Sequence, residues 1–246
     1  MTRLGVFSDY SARITNPVVR GDLMQLVGLE ATIKFDEATQ VRTPARNIFS
    51  ALGGKTPKTK LREPGVTIKN EKEKFLISWH YEECRIVLEE TKTHKECLDL
   101  VVNIIQTIDS VAPVGTMQEV RLETRWLLPA PSHDFNSLNE LYMRMMVSPK
   151  EFMKDAYDSS VIIDSETDDF VLHHQSGPME PSQLLEDFLE FKRDKLPGVF
   201  IFLSVGLTHT KVLEYSREKL QTLFADGLHR CEQHAEDFHK IWEGDL

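Results

Sequence analysis

The run GVFIFLSVGL, residues 198–207, is the stretch that most restricts how this chain can fold. It is apolar almost throughout, but it is far shorter than the roughly 20 residues that a helix needs to cross a bilayer. A short apolar run flanked by turn residues is typical of a strand with both faces buried. The run therefore predicts a doubly buried strand and not a membrane span.

Alternation of apolar and polar residues indicates further strands around this one. In QEVRLETRWLL (118–128), for example, Arg121, Glu123 and Arg125 share one face of the strand. The predicted strands are 24–35, 73–81, 83–91, 118–128, 159–164, 170–175 and 198–207. The predicted helices are 43–52, 97–108, 181–193 and a long one from about residue 211 to residue 242. Another predicted helix opens with a capping box of Ser137 and Glu140 and has an apolar stripe that reaches Met146, and 148–151 predicts a further helix start.

This order of elements predicts an α+β fold. Two β-β-α-β-like halves would form one or two mainly antiparallel sheets, with helices packed on one side and a long C-terminal helix. We expect an N-terminal half over 1–130 and a C-terminal half over 131–246 packed against it, with one continuous domain as the alternative.

Composition bounds the class of protein. Hydrophobic residues make up 41% of the 246 and charged residues 28%, which is enough apolar material for a sizeable core. The start of the chain shows no targeting segment, so a cytoplasmic protein that does not bind membranes is expected. The three cysteines, Cys84, Cys97 and Cys231, are an odd and widely spaced set, which argues against a disulfide framework.

Positive charge is concentrated in one segment of an otherwise acidic chain. The net charge is −10, yet KTPKTKLREP (55–64) is strongly basic and has the composition of an exposed loop. Such a loop is a candidate contact for a partner protein or for nucleic acid, although it contains no aromatic residue for base stacking. The candidate contact residues are Lys55, Lys58, Lys60 and Arg62.

The segment LHRCEQHAEDFHKIW (228–242) combines three histidines with a cysteine. On a helical wheel Cys231 lies at the centre of the apolar stripe, while His229, His234 and His239 point away from it in different directions. Four ligands on one helix in this arrangement cannot converge on a tetrahedral metal ion. The segment therefore predicts a packed helix, and no metal or cofactor is expected.

Polar residues on two strands are candidates for a binding face. Arg121, Glu123 and Arg125 can bind an anion or a partner's carboxylates, or form a cross-strand ladder of ion pairs. His173 and His174, on a neighbouring strand, can titrate near pH 6.5. No local catalytic motif accompanies them, so catalysis is not the leading expectation, although a site assembled from distant residues stays open.

Several segments are shared with a known group of proteins: Asn16-Pro17-Val18-Val19, Arg121 with Arg125-Trp126, Ser176-Gly177-Pro178, and the helix Leu228-His229…Ala235…Phe238. In these the chain resembles a sporadically distributed, functionally uncharacterised prokaryotic family of about 250 residues. It differs from the family pattern at Arg20, Trp126 and Leu128. The resemblance implies an α+β fold and a place among accessory or mobile-element-associated genes, but no activity.

Three functions follow as hypotheses. The first is a non-catalytic accessory or regulatory protein that acts through a protein partner, in a prokaryotic defence or mobile-element context. The contact surfaces expected from sequence are the N-terminal arm, 1–22, and the basic segment. The alternatives are a nucleic-acid-binding accessory protein that uses the basic segment, and a hydrolase with a non-local site. The partner and the oligomeric state stay open.

Overall fold

The computed structural model describes residues 24–36, 59–62, 65–80, 82–89, 94–111, 114–131, 134–147, 158–167, 169–193 and 196–244. The predicted N-terminal arm, the predicted helix over 43–52 and the predicted helix start at 148–151 lie outside these ranges.

Ten strands form one sheet, and every pairing in it is antiparallel. The order across the sheet is β2-β3-β4-β5-β1-β6-β9-β8-β7, and the short β10 pairs with β6. The strands are Gln25–Phe35 (β1), Thr59–Arg62 (β2), Gly65–Asn70 (β3), Phe75–Trp79 (β4), Glu83–Glu89 (β5), Thr116–Leu128 (β6), Val161–Glu166 (β7), Phe170–Met179 (β8), Phe200–His209 (β9) and Leu213–Glu214 (β10).

Strand β9 is the doubly buried strand that the apolar run predicts. All ten of its residues are buried, and it lies between β6 and β8. Sequence allowed one sheet or two, and the structure has one, because β6 pairs with β1 on one side and with β9 on the other. The expectation of a mainly antiparallel α+β fold is confirmed.

Four α-helices accompany the sheet in the described residues: His94–Val111 (α1), Phe135–Tyr142 (α2), Pro181–Asp187 (α3) and Arg217–Gly244 (α4). A π-helical turn, Met143–Val147, continues α2. None of these helices is both long enough and apolar enough to cross a membrane.

The longer helices cover one face of the sheet. Helix α1 packs Val101 and Ile105 in one core cluster with Leu228 of α4. Helix α4 buries the predicted stripe, and Cys231 and Trp242 are fully buried within it. The helix runs unbroken through Gly227, where an added Cβ would lie 3.4 Å from Leu122 Cδ2, so α4 packs closely on β6 at this position.

The short helix α3 and the segment after it cover the opposite face. Leu184 of α3 packs with Leu127 and Phe202, a cross-strand pair whose side chains point away from α4. Phe191 packs on Leu76 and Val87 farther along the same face. Helix α3 ends at Asp187, earlier than the predicted residue 193, and residues 188–193 lie across the sheet as a covering segment.

The N-cap of α2 lies three residues before the position that the sequence predicts. The sequence places Ser137 at the N-cap, but the structure places Asp134 there. Asp134 Oδ2 accepts hydrogen bonds from the backbone nitrogen of Ser137 at 2.8 Å and from its Oγ at 2.7 Å. Both residue types favour N-caps, so composition alone does not decide between them.

Gly177 on β8 lies against backbone and leaves no room for a side chain. A Cβ at this position would be 2.6 Å from the carbonyl oxygen of Ser159, whereas a Cβ at Gly198 would have nothing within 4 Å. We expect Gly177→Ala to lower the free energy of unfolding by about 1–3 kcal/mol, because the backbone before β7 must shift. The matched Gly198→Ala should change it by less than about 0.5 kcal/mol. Urea denaturation of both variants tests this, and equal effects would contradict it.

Candidate functional site

Strand β7 forms an exposed edge of the sheet. Among the described elements it pairs only with β8. Five of its six residues are exposed, and the residue exposures of Ile162 and Ile163 are 68% and 53%. A strand edge of this kind presents unpaired backbone donors and acceptors together with apolar side chains.

The two isoleucines point to opposite faces of the sheet. Ile163 is paired with His174, whose buried side chain faces α4. Ile162 shares the other face with Asp164 and Glu166, since side chains alternate along a strand. One face of the edge is therefore apolar at its start and acidic beyond it.

The predicted polar face of β6 is buried at Arg125, beneath the covering segment, and is more exposed at Arg121. Arg125 is 7% exposed and donates from Nε to Glu123 Oε1 at 2.9 Å and from Nη2 to Glu30 Oε2 at 2.7 Å. Arg121 Nη2 donates to Glu123 Oε2 at 2.7 Å. Arg85 on β5 binds both oxygens of Glu30, at 2.7 and 2.9 Å. These contacts form a cross-strand ladder of ion pairs, one of the two arrangements that the sequence allowed.

The same ladder attaches the covering segment to the sheet. Arg125 Nη1 donates to the carbonyl oxygen of Phe188 at 2.6 Å, and Arg85 Nη1 donates to Glu190 Oε1 at 2.8 Å. The backbone nitrogen of Glu190 donates to Glu89 Oε1 at 2.6 Å. Burial raises the pKa of Glu30, but hydrogen bonds from Arg85 and the charge of Arg125 outweigh it, so the net pKa is lowered.

The basic segment is only partly within the described residues. Lys55 and Lys58 lie outside them. Lys60 and Arg62 belong to β2, which pairs with β3 at the other edge of the sheet, so the expectation of a loop is wrong for 59–62. Lysine is common on edge strands, and the nearby prolines do not interrupt so short a strand. The sequence therefore permitted a strand where its proline and lysine content suggested a loop.

A chain of hydrogen bonds connects the core to the surface of α4. Tyr142 OH donates to the carbonyl oxygen of Ser176 at 2.8 Å and lies 2.8 Å from Ser176 Oγ. Ser176 Oγ is 2.7 Å from His174 Nε2, and His174 Nδ1 is 2.9 Å from His234 Nε2. We call this set of four side chains the histidine relay.

One arrangement of protons satisfies every contact in the histidine relay. Because the Tyr142 proton goes to the carbonyl, Ser176 Oγ donates to Tyr142 OH and must accept from His174 Nε2. His174 Nδ1 then accepts from His234 Nε2, which leaves Nδ1 of His234 as a hydrogen-bond acceptor.

The pKa of each histidine in the relay is lowered, which favours the neutral form of both at pH 7. Burial lowers the pKa of His174 to about 4, and a positive charge on His234 would act in the same direction. Burial also lowers the pKa of His234, against the opposing effect of Asp237. Sequence reasoning identified His174 and His234 separately, but it had no signal that would join two residues that are 60 positions apart.

The cysteines are packed in the core. Cys84, Cys97 and Cys231 are buried and form no disulfide. Burial raises the pKa of Cys231 to about 12, which removes thiolate character at neutral pH. In the part of the chain that the structure describes, no group of three or more His, Cys, Asp and Glu residues is placed to hold a metal ion.

Comparison with known proteins leaves the chain without an assigned family. No protein-family model and no curated protein matches it. A solved structure similar to it, Methanococcus jannaschii TBP, is 11% identical and matches over 85% of this chain and 98% of that chain. The TM-score is 0.27, which is too low to show a shared fold. The class of the protein therefore follows from its own structure: an α+β protein with one antiparallel sheet.

The ladder predicts a difference between two carboxylates that lie on neighbouring strands. Glu30→Gln should lower the free energy of unfolding by about 2 kcal/mol, because the buried Arg125 and the half-buried Arg85 each lose one of their two carboxylate partners. Glu119→Gln removes a more exposed pair with Lys34 and should cost less than about 1 kcal/mol. Urea denaturation at pH 7 measures both. Equal losses of unfolding free energy would show that the ladder stabilises the fold no more than an exposed ion pair does.

The lowered pKa of His174 predicts that acid destabilises the fold. The unfolded chain takes up a proton near pH 6.5, whereas folded His174 does so only near pH 4, so stability falls as the pH drops through this window. Between pH 7 and pH 5 this residue should account for about 2 kcal/mol of lost stability. His174→Asn should lose that part of the pH dependence, and the exposed control His229→Asn should retain it. The same pH dependence in both variants would refute the assignment.

Proposed function

We propose that this protein is a non-catalytic accessory protein that binds a partner protein through strand β7. The observation that carries the proposal is the exposed edge: β7 pairs only with β8 among the described elements and exposes two adjacent isoleucines. Strand addition satisfies the open backbone groups and buries alternate side chains in one step.

The chemistry of the edge favours a particular kind of partner segment. Ile162 favours an apolar side chain on the partner segment, while Asp164 and Glu166 on the same face favour a Lys or Arg of the partner. A second copy of this chain fits less well, because each copy carries a net charge of −10 and the two would repel. The proposed occupant is therefore an extended segment of another protein with apolar and basic residues in alternation.

The biological setting of the proposal comes from the family resemblance alone. The resemblance to a sporadically distributed prokaryotic family supports an accessory role in defence or in mobile elements. Nucleic-acid binding through Lys60 and Arg62 is the competing function, and the experiment below separates the two.

Photo-crosslinking in the native host tests the interface directly. Benzoylphenylalanine replaces Ile163 on β7 in one strain and replaces Val212, which is 58% exposed and lies outside β7, in another. We expect one protein to be crosslinked at position 163 and not at position 212, and the product to survive nuclease treatment. Once purified, that protein should protect the backbone amides of β7 from hydrogen exchange.

A second variant distinguishes binding at the β7 edge from nonspecific crosslinking. Ile162→Lys places a charge on the edge without changing the core, since this side chain is exposed, and it should abolish the crosslink at position 163. Crosslinking that persists in this variant, or that is equal at positions 163 and 212, would overturn the β7 interface. A product that disappears on nuclease treatment would favour the nucleic-acid alternative.

A further inference from the structure

A cleft of about 330 Å³ opens between helix α4 and the hairpin of β7 and β8. Phe170, Leu172 and Leu207 form the apolar floor on the sheet side, and Ser165 and Thr167 of the hairpin also line the cleft. Its volume lies at the lower end of the range for small-molecule sites, which argues for a compact ligand and against a polymer.

Helix α4 lines the polar side of the cleft. Gln233 Nε2 donates to Asp237 Oδ1 at 3.0 Å, and Lys240 Nζ donates to the same atom at 3.1 Å. Gln233 and Asp237 therefore already satisfy each other. His229, Arg230 and His234 are the cleft-lining groups on this wall that can still bind a ligand, and Arg230 and His234 lie four residues apart on the helix.

Arg230 is an exposed cation that lies over the aromatic part of the floor. Its guanidinium carbon lies 5.2 Å from the centre of the Phe170 ring. It forms no ion pair within 4 Å with any described residue. Asp169 feels the charge of Arg230 from farther away, but no described carboxylate contacts the guanidinium. A cation that lies on an aromatic floor with no carboxylate in direct contact favours a carboxylate or a similar anion as its ligand.

His234 contributes an acceptor with a defined tautomer. The histidine relay uses its Nε2 as a donor to His174, so Nδ1 carries the lone pair. Within the described part of the chain nothing hydrogen-bonds to that Nδ1. A ligand hydroxyl is the group that suits it.

The two groups lie on the same side of the helix. Arg230 and His234 are four residues apart, so their Cβ atoms are about 5–6 Å apart and face the same space. A ligand that contacts both groups has a carboxylate at one end and a hydroxyl at the other end of a short, flat molecule. The flat part between these two groups then covers the apolar floor of the cleft.

We propose that this cleft binds a small hydroxylated aromatic carboxylate. The carboxylate accepts hydrogen bonds from Arg230, the ring lies on Leu172 and Leu207, and the hydroxyl donates to Nδ1 of His234. Ser165 of β7 also lines the cleft, but the two groups that bind the ligand in this proposal, Arg230 and His234, belong to α4, so either proposal can fail alone.

Calorimetric titration at pH 7 with three probes tests each contact. 4-Hydroxybenzoate should bind in a saturable manner, with a Kd of about 1 mM or tighter. Benzoate lacks the hydroxyl and should bind about fivefold or more weakly than 4-hydroxybenzoate; 4-hydroxybenzyl alcohol lacks the charge and should bind about tenfold or more weakly. No saturation by 4-hydroxybenzoate, or equal binding of all three probes, would overturn the proposal.

Variants assign the contacts to residues. Arg230→Gln should weaken 4-hydroxybenzoate about tenfold or more, and the matched control Arg144→Gln, an exposed arginine that does not line the cleft, should leave it unchanged. His234→Asn should reduce the affinity for 4-hydroxybenzoate to that for benzoate. Equal effects of the two arginine variants would overturn the site. Because Arg230 is exposed, its variant also keeps the test valid if His234→Asn does not fold.

Discussion

The ion pairs of Arg125 hold together the two layers on which the rest of the fold depends. This guanidinium is almost fully buried, and it contacts Glu30 on β1, Glu123 on β6 and the backbone of the covering segment at Phe188. Without the two carboxylates, a charge at this depth would not be tolerated. With them, residues 188–193 can lie on the sheet and shield β9 from water. The buried guanidinium of Arg125 thus attaches the covering segment to a face of the sheet that is otherwise apolar.

Much of the architecture is readable from local patterns. Alternation located β6, the apolar run located β9, and the wheel of the last helix placed Cys231 and Trp242 inside. Each of these signals needs only neighbouring residues, because the period of a strand or a helix is a local property. The same holds for β7 and β8, which are close in sequence and pair with each other in antiparallel register.

What the sequence could not predict is non-local. Glu30 has no special neighbours along the chain, and its partners Arg85 and Arg125 come from two other strands. The contact between His174 and His234 likewise exists only once α4 lies across β8. The β7 edge was missed for a different reason. Its sequence is that of an ordinary strand, and its exposure follows from its position in the strand order.

Strand β6 has a consequence for how the chain is made. It pairs with β1, which precedes it, and with β9, which follows about eighty residues later. At ribosomal rates of roughly 5–20 residues per second, the edge of β6 that receives β9 stays open for roughly 4–16 s after its own synthesis. During that interval an unfinished chain exposes a long strand edge. The nascent protein is therefore most vulnerable to aggregation midway through translation, and a slow stretch of codons or a missing chaperone in that window would harm it more than either would later.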